Sequence, residues 1–111
     1  MKQNELLQII RNGGATLNNT GAPVSFSDGF QVSKKDCYTL EVANVRKILR
    51  AINKLLDSIS AGDFVGVWVD SGLVYVDISE RIQDEREALR VGRERGQISI
   101  FNWQTGACLY C

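Results

Sequence analysis

Residues 64–79 read Phe64-Val65-Gly66-Val67-Trp68-Val69-Asp70-Ser71-Gly72-Leu73-Val74-Tyr75-Val76-Asp77-Ile78-Ser79. Two alternating runs, 64–69 and 73–79, flank the turn residues Asp70-Ser71-Gly72, which is the pattern of a β-hairpin. With Ser71-Gly72 as a two-residue turn the register follows. Val69 faces Val74, Val67 faces Val76 and Val65 faces Ile78. On the other side Trp68 pairs with Tyr75, and Gly66 lies across from Asp77. Because side chains alternate along a strand, one face of the hairpin is aliphatic and the other aromatic.

The flanking segments fit the same two-faced sheet. Residues 97–103 alternate again, with Ile98 and Ile100 on one side and Ser99, Phe101 and Trp103 on the other. Between them, residues 84–95 read as a helix that Asp84 opens with Glu87 three positions later. Its buried stripe is Ala88, Leu89 and Gly92, and Gly92 allows close approach to a sheet. Upstream, Val42, Val45, Ile48, Leu49, Ile52, Leu55, Leu56 and Ile59 recur at helical spacing. They predict a helix over 41–60, with Thr39 as N-cap and Gly62 as stop. Residues 30–33 are strand-like, and the turn residues Gln104-Thr105-Gly106 precede a last strand over 107–110.

The order from residue 30 is β-α-β-β-α-β, the split βαβ or ferredoxin-like order, in an α+β domain. Both helices are expected on one face of an antiparallel sheet, against Val65, Val67, Val69, Val74, Val76, Ile78, Ile98 and Ile100. Residues 1–28 read as an arm, with a helix over 4–12 stopped at Gly13-Gly14 and short strands at 15–17 and 24–26. The whole chain, 1–111, is one domain, with 29–111 as its core.

Thirteen basic residues balance thirteen acidic ones, and there is no histidine. Zero net charge disfavours a dedicated nucleic-acid binder. Lack of histidine removes the commonest general base and metal ligand. No nucleophile–base pair, phosphate-binding loop or metal set stands out, so neither a catalytic residue nor a cofactor is assigned. Asp70 and Asp77 share the aromatic face without sharing a cross-strand position. Cys37 is isolated, and Cys108-Leu109-Tyr110-Cys111 is half of a zinc site at most. As a redox pair it lacks a helix N-terminus, and as a prenylation box it has a poor third residue and no polybasic run. Free thiols in a reducing cytosol are expected. The first residues show no secretory h-region, and no apolar run is long enough for a membrane span. A cytoplasmic protein is expected.

Two surfaces are candidates for recognition. Clustered aromatics anchor protein interfaces, so Trp68, Tyr75 and Trp103 are assigned to a protein partner, with Arg86, Arg90 and Arg93 supplying charge selectivity. In opposition, Leu6, Leu7, Ile9, Ile10, Phe26 and Phe30 are available to cover the aromatic face, and a homodimer is another way to bury it. The alternative surface is the strip Arg46, Lys47, Arg50 and Lys54 on the long helix, with Lys34-Lys35 as an extension, which suits nucleic acid. On the second helix Glu87 and Glu94 are spaced to pair with Arg90.

From Gly29 onward the chain resembles small uncharacterised proteins encoded by phages, prophages and plasmids of Gram-positive bacteria. The matching stretches are Gly29-Phe30-Gln31-Val32-Ser33, Phe64-Val65-Gly66-Val67-Trp68-Val69-Asp70 and Val74-Tyr75-Val76-Asp77-Ile78-Ser79. They continue in Glu87-Ala88-Leu89-Arg90-Val91-Gly92-Arg93-Glu94 and Gln97-Ile98-Ser99-Ile100-Phe101. The resemblance implies a mobile-element origin and a bacterial cytoplasm, and brings no activity or site residues with it. The expected function is a non-enzymatic accessory protein of a phage or mobile element that binds a host or phage macromolecule, foremost a protein. A host-defence inhibitor is a special case.

Overall fold

The structure, a computed structural model, describes residues 1–111. In chain order it comprises α1 (Gln3–Asn12), β1 (Gly14–Leu17), β2 (Pro23–Val24), β3 (Phe30–Glu41), α2 (Val45–Ser58), β4 (Asp63–Asp70), β5 (Leu73–Ile82), α3 (Glu85–Glu94), β6 (Ser99–Asn102) and β7 (Ala107–Tyr110). All seven strands join one antiparallel sheet in the order β2-β1-β4-β5-β3-β6-β7.

The β4–β5 hairpin has the register its turn dictates, from Val65↔Ile78 through Trp68↔Tyr75 to Val69↔Val74. Ser71 and Gly72 both take positive φ, 51° and 79°. Two left-handed central residues give a turn whose twist matches the strands it joins. Only Gly72 adopts that conformation without steric cost.

Three expectations need correction. The long helix begins at Val45 behind Asn44, not at 41 behind Thr39, and stops at Ser58. Residues 34–41 instead prolong β3, where Tyr38, Thr39, Leu40 and Glu41 pair with β5. Two irregularities, between Ser33 and Lys35 and between Asp36 and Tyr38, keep this long strand in step with its partner. The N-terminal residues are more than an arm, because β1 hydrogen-bonds to β4 and extends the sheet. Ile98 lies outside β6 and is 80% exposed, so it does not meet the helices.

The helices pack on the aliphatic face. Leu6 and Ile9 of α1 and Ile48, Ile52 and Leu55 of α2 share a core with Leu17, Val65, Val67, Val74 and Val76. Ala88 of α3 packs with Phe30, Val32 and Ile100 in a second, smaller core. Asp84 caps α3 by accepting the Glu87 N–H. A side chain at Gly92 would press on Ile100 and Cys111, so the missing Cβ lets this helix approach β6. No helix is long and apolar enough to cross a membrane.

These cores make contrasting predictions for two residues of similar chemistry. Val76→Ala, at a fully buried site, should cost about 1–3 kcal/mol of stability. Ile98→Ala should stay within about 0.5 kcal/mol. Urea unfolding of both variants checks this; a larger loss at Ile98 would put that residue back into the core.

Candidate functional site

The face without helices carries the aromatic residues, and it is concave. Trp68 on β4 and Phe101 on β6 are separated by β5 and β3. In a flat sheet their backbones would stand roughly 14 Å apart; the curl of the sheet and the reach of the two side chains together bring their ring centroids to 5.7 Å. Phe101 meets Trp103 edge to face at 4.9 Å, Trp103 meets Phe26 at 5.4 Å, and Phe26 meets Phe64 at 5.7 Å. These five rings form a rim.

Inside the rim the floor is polar. Trp103 Nε1 donates to Gln31 Oε1 at 3.0 Å, and Gln31 Nε2 donates to Ser79 Oγ at 2.9 Å. Gln31 and Ser79 are buried, so this chain satisfies groups that would otherwise be costly. Arg81 is stacked at 4.6 Å over Phe26 and donates to the Asp28 carbonyl and carboxylate.

Asp77 is the exception. Its Oδ1 is closed off from solvent and has no hydrogen-bond partner. It lies over Gly66, where any Cβ would collide with it, and the Trp68 Nε1 is beside the same spot, 3.1 Å from such a Cβ. Glycine at 66 is therefore what lets the carboxyl group fold across β4. Burial, reinforced by the Asp36 carboxylate opposite it in the β3–β5 pair, pushes the Asp77 carboxyl up to about 6. The Gly66 backbone and the Ser33 hydroxyl offset part of this. A small cavity of about 240 Å³ opens here, bounded by Asp77, Ser33, Ser79, Ser99, Trp68 and Phe101.

A larger cleft of about 710 Å³ lies at the β1–β2 edge. It is lined by Trp68, Phe101 and Trp103 from the aromatic face and, round the sheet edge, by Asn4, Gln8 and Asn12 of α1. These three amides recur every fourth residue, so they line up along the helix. Gln8 Nε2 donates to Asn12 Oδ1 at 3.3 Å. No lysine or arginine borders the cleft.

The structure unites some of the candidate residues and separates others. Trp68 and Trp103 share the cleft, both half-buried, whereas Tyr75 is 39% exposed and outside the ring contacts. Arg86, Arg90 and Arg93 are on α3, across the sheet from the aromatics, so they cannot border the same partner patch. Arg90 is held by Glu87 and Glu94, and its hydrogen bond lowers the pKa of Glu87. The arginine that does reach the aromatic face is Arg81. Of the residues available as cover, only Phe26 acts as one. Leu6, Ile9 and Ile10 belong to the core under α1 and α2, Phe30 to that under α3, and Leu7 is exposed.

Arg46, Lys47, Arg50 and Lys54 are all exposed on α2, and none forms an ion pair. Lys34 does not extend the strip, because it pairs with Asp63 at 3.2 Å. All three cysteines are free, with Cys37 half-buried, Cys108 exposed and Cys111 against Gly92. Burial raises the pKa of the Cys37 thiol. Compared with family models, curated proteins and solved structures, the chain matches none of them.

The Asp77 environment predicts a pH-dependent instability. An acid with a higher pKa in the folded state opposes folding once it ionises. The cost sets in above the ordinary value of 3.8 and is complete above about 6. Asp77→Asn should therefore stabilise the protein at pH 7 by at most about 3 kcal/mol, and the gain should fade below pH 4. Urea titrations of both proteins at the two pH values check this; an equal gain at both would contradict the assignment.

Proposed function

We propose that the protein is a non-enzymatic binding protein whose concave face takes an extended segment of a partner protein. The observation that carries this reading is the cleft lined by Trp68, Phe101 and Trp103 of the aromatic face and by Asn4, Gln8 and Asn12 of α1 at the sheet edge. Its volume is within the range of specific ligand sites, about 300–1,000 Å³. Aromatic rings offer apolar area together with an indole N–H, the combination that anchors interfaces. Side-chain amides carry both donors and acceptors, which suits a peptide backbone. A phosphate backbone would require basic residues, and the cleft has none.

The resemblance of residues 29–111 to proteins of phages and other mobile elements supports a mobile-element origin and a bacterial cytoplasm, and within that setting the partner is read as a host or phage protein. Inhibition of a host defence system fits the same mode of action. A finer reading of the fold also belongs to this proposal. We read β3-α2-β4-β5-α3-β6 as a ferredoxin-like unit with strands in the order β4-β5-β3-β6. The strands β1, β2 and β7 then extend it at its two edges.

One observation favours a second reading. Four exposed cations on α2 without ion-pair partners form a surface for nucleic-acid phosphates, with binding that weakens steeply as salt rises. The two readings separate in one experiment, co-purification from a nuclease-treated Gram-positive lysate. Wild type should retain a bound protein, and Gln8→Arg, an exposed change on the cleft wall, should lower its capture at least tenfold. Undiminished capture by Gln8→Arg would refute the cleft. Capture abolished by nuclease and by Arg50→Glu/Lys54→Glu would move the function to α2.

A further inference from the structure

The small cavity beside Asp77 is chemically unlike the cleft. It is lined by one carboxylate, that of Asp77, and by no basic residue. Asp77 Oδ1 has no hydrogen-bond partner. Asp36 is directly opposite Asp77 in the β3–β5 pair, an arrangement of like charges that destabilises a sheet. None of the ion pairs of the protein involves either residue. The Gly66 backbone and the Ser33 hydroxyl favour the charged form of Asp77, but no ion pair balances it, and a cation would supply that balance.

The remaining walls select the kind of cation. Trp68 and Phe101 line it, together with Ser33, Ser79 and Ser99; Ser79 Oγ already accepts from Gln31 and Ser33 Oγ donates to Asp36. No cluster of three metal-type ligands exists here. We propose that this cavity takes the guanidinium group of an arginine side chain presented by the partner protein, with Asp77 as its counter-charge and Trp68 and Phe101 as stacking walls. The inference rests on the protein-binding reading above. A guanidinium is planar, stacks on aromatic faces and carries five donors for the carboxylate and the hydroxyls. An ammonium is compact and strongly hydrated, and exploits flat walls less well. The protein already uses this combination on the same face, where Arg81 stacks on Phe26 and pairs with Asp28.

The test is a titration of the full chain followed by NMR at the Trp68 indole N–H and the Asp77 carboxyl carbon. The probes are N-acetyl-arginine amide, its neutral isostere N-acetyl-citrulline amide, and N-acetyl-lysine amide. The arginine probe should shift both signals and bind at least tenfold more tightly than either of the others. Asp77→Asn, with its fold verified from the same spectra, should lose at least tenfold in affinity for the arginine probe. Equal binding of citrulline or lysine, an unaltered response in Asp77→Asn, or no shift at millimolar probe would overturn the proposal. A captured partner that depends on Gln8 but is indifferent to Asp77→Asn would also overturn it and leave the cleft standing. Arginine binding with no protein captured would instead support the guanidinium site and contradict the reading on which its partner rests.

Discussion

Trp68 and Phe101 are in contact although two strands run between theirs. Apolar rings gain by leaving water together, and here the curl of the sheet and the reach of both side chains bring them into contact. The curl makes one face a trough and leaves the other for α1, α2 and α3. It also extends the rim, since Trp103, Phe26 and Phe64 continue the chain of ring contacts. Alternation along β4 and β5 supplies both sides. Valines at 65, 67, 74 and 76 are buried beneath the helices, while Trp68 and Asp77 enter the trough.

A trough filled for stability alone would be expected to satisfy its polar groups. Part of this one does, through the chain from Trp103 to Gln31 to Ser79. At Asp77 the Oδ1 has no partner, and burial and Asp36 oppose its charge more than the Gly66 backbone and the Ser33 hydroxyl relieve it. Departures of this kind from otherwise consistent packing cluster where proteins bind or react. Gly66 has its place in this account, because a side chain there would expel the carboxyl group. The cleft and the small cavity meet at Trp68, which borders both openings, and this is the face proposed for binding.

The hairpin was legible in the sequence because its determinants are local: an alternating pattern and a turn that requires positive φ. The start of α2 was not. Tyr38, Leu40 and Val42 alternate as a strand should, while Val42 also fits the helical spacing that runs on to Val45. Pairing with Leu73, Val74 and Tyr75 of a distant segment decides in favour of the strand. Helix spacing put Arg86, Arg90 and Arg93 on one side of α3, and their separation from the aromatics was already implicit. A helix packed by Ala88 and Gly92 on the aliphatic face turns its charged side away from the sheet. What no local pattern carried was the curl. Without it Asp77 is an ordinary strand residue, and Asn4, Gln8 and Asn12 are an ordinary polar helix face.

The most direct test of the account is a double-mutant cycle on Trp68 and Phe101, measured by urea unfolding of Trp68→Ala, Phe101→Ala and the double variant. Ring pairs in contact are coupled by about 0.5–1.5 kcal/mol. The curled sheet predicts a coupling in that range between residues whose strands are not neighbours. Additivity to within about 0.3 kcal/mol would mean that the two rings stand apart, and with them the trough, the cleft floor and the Asp77 cavity would lose their basis.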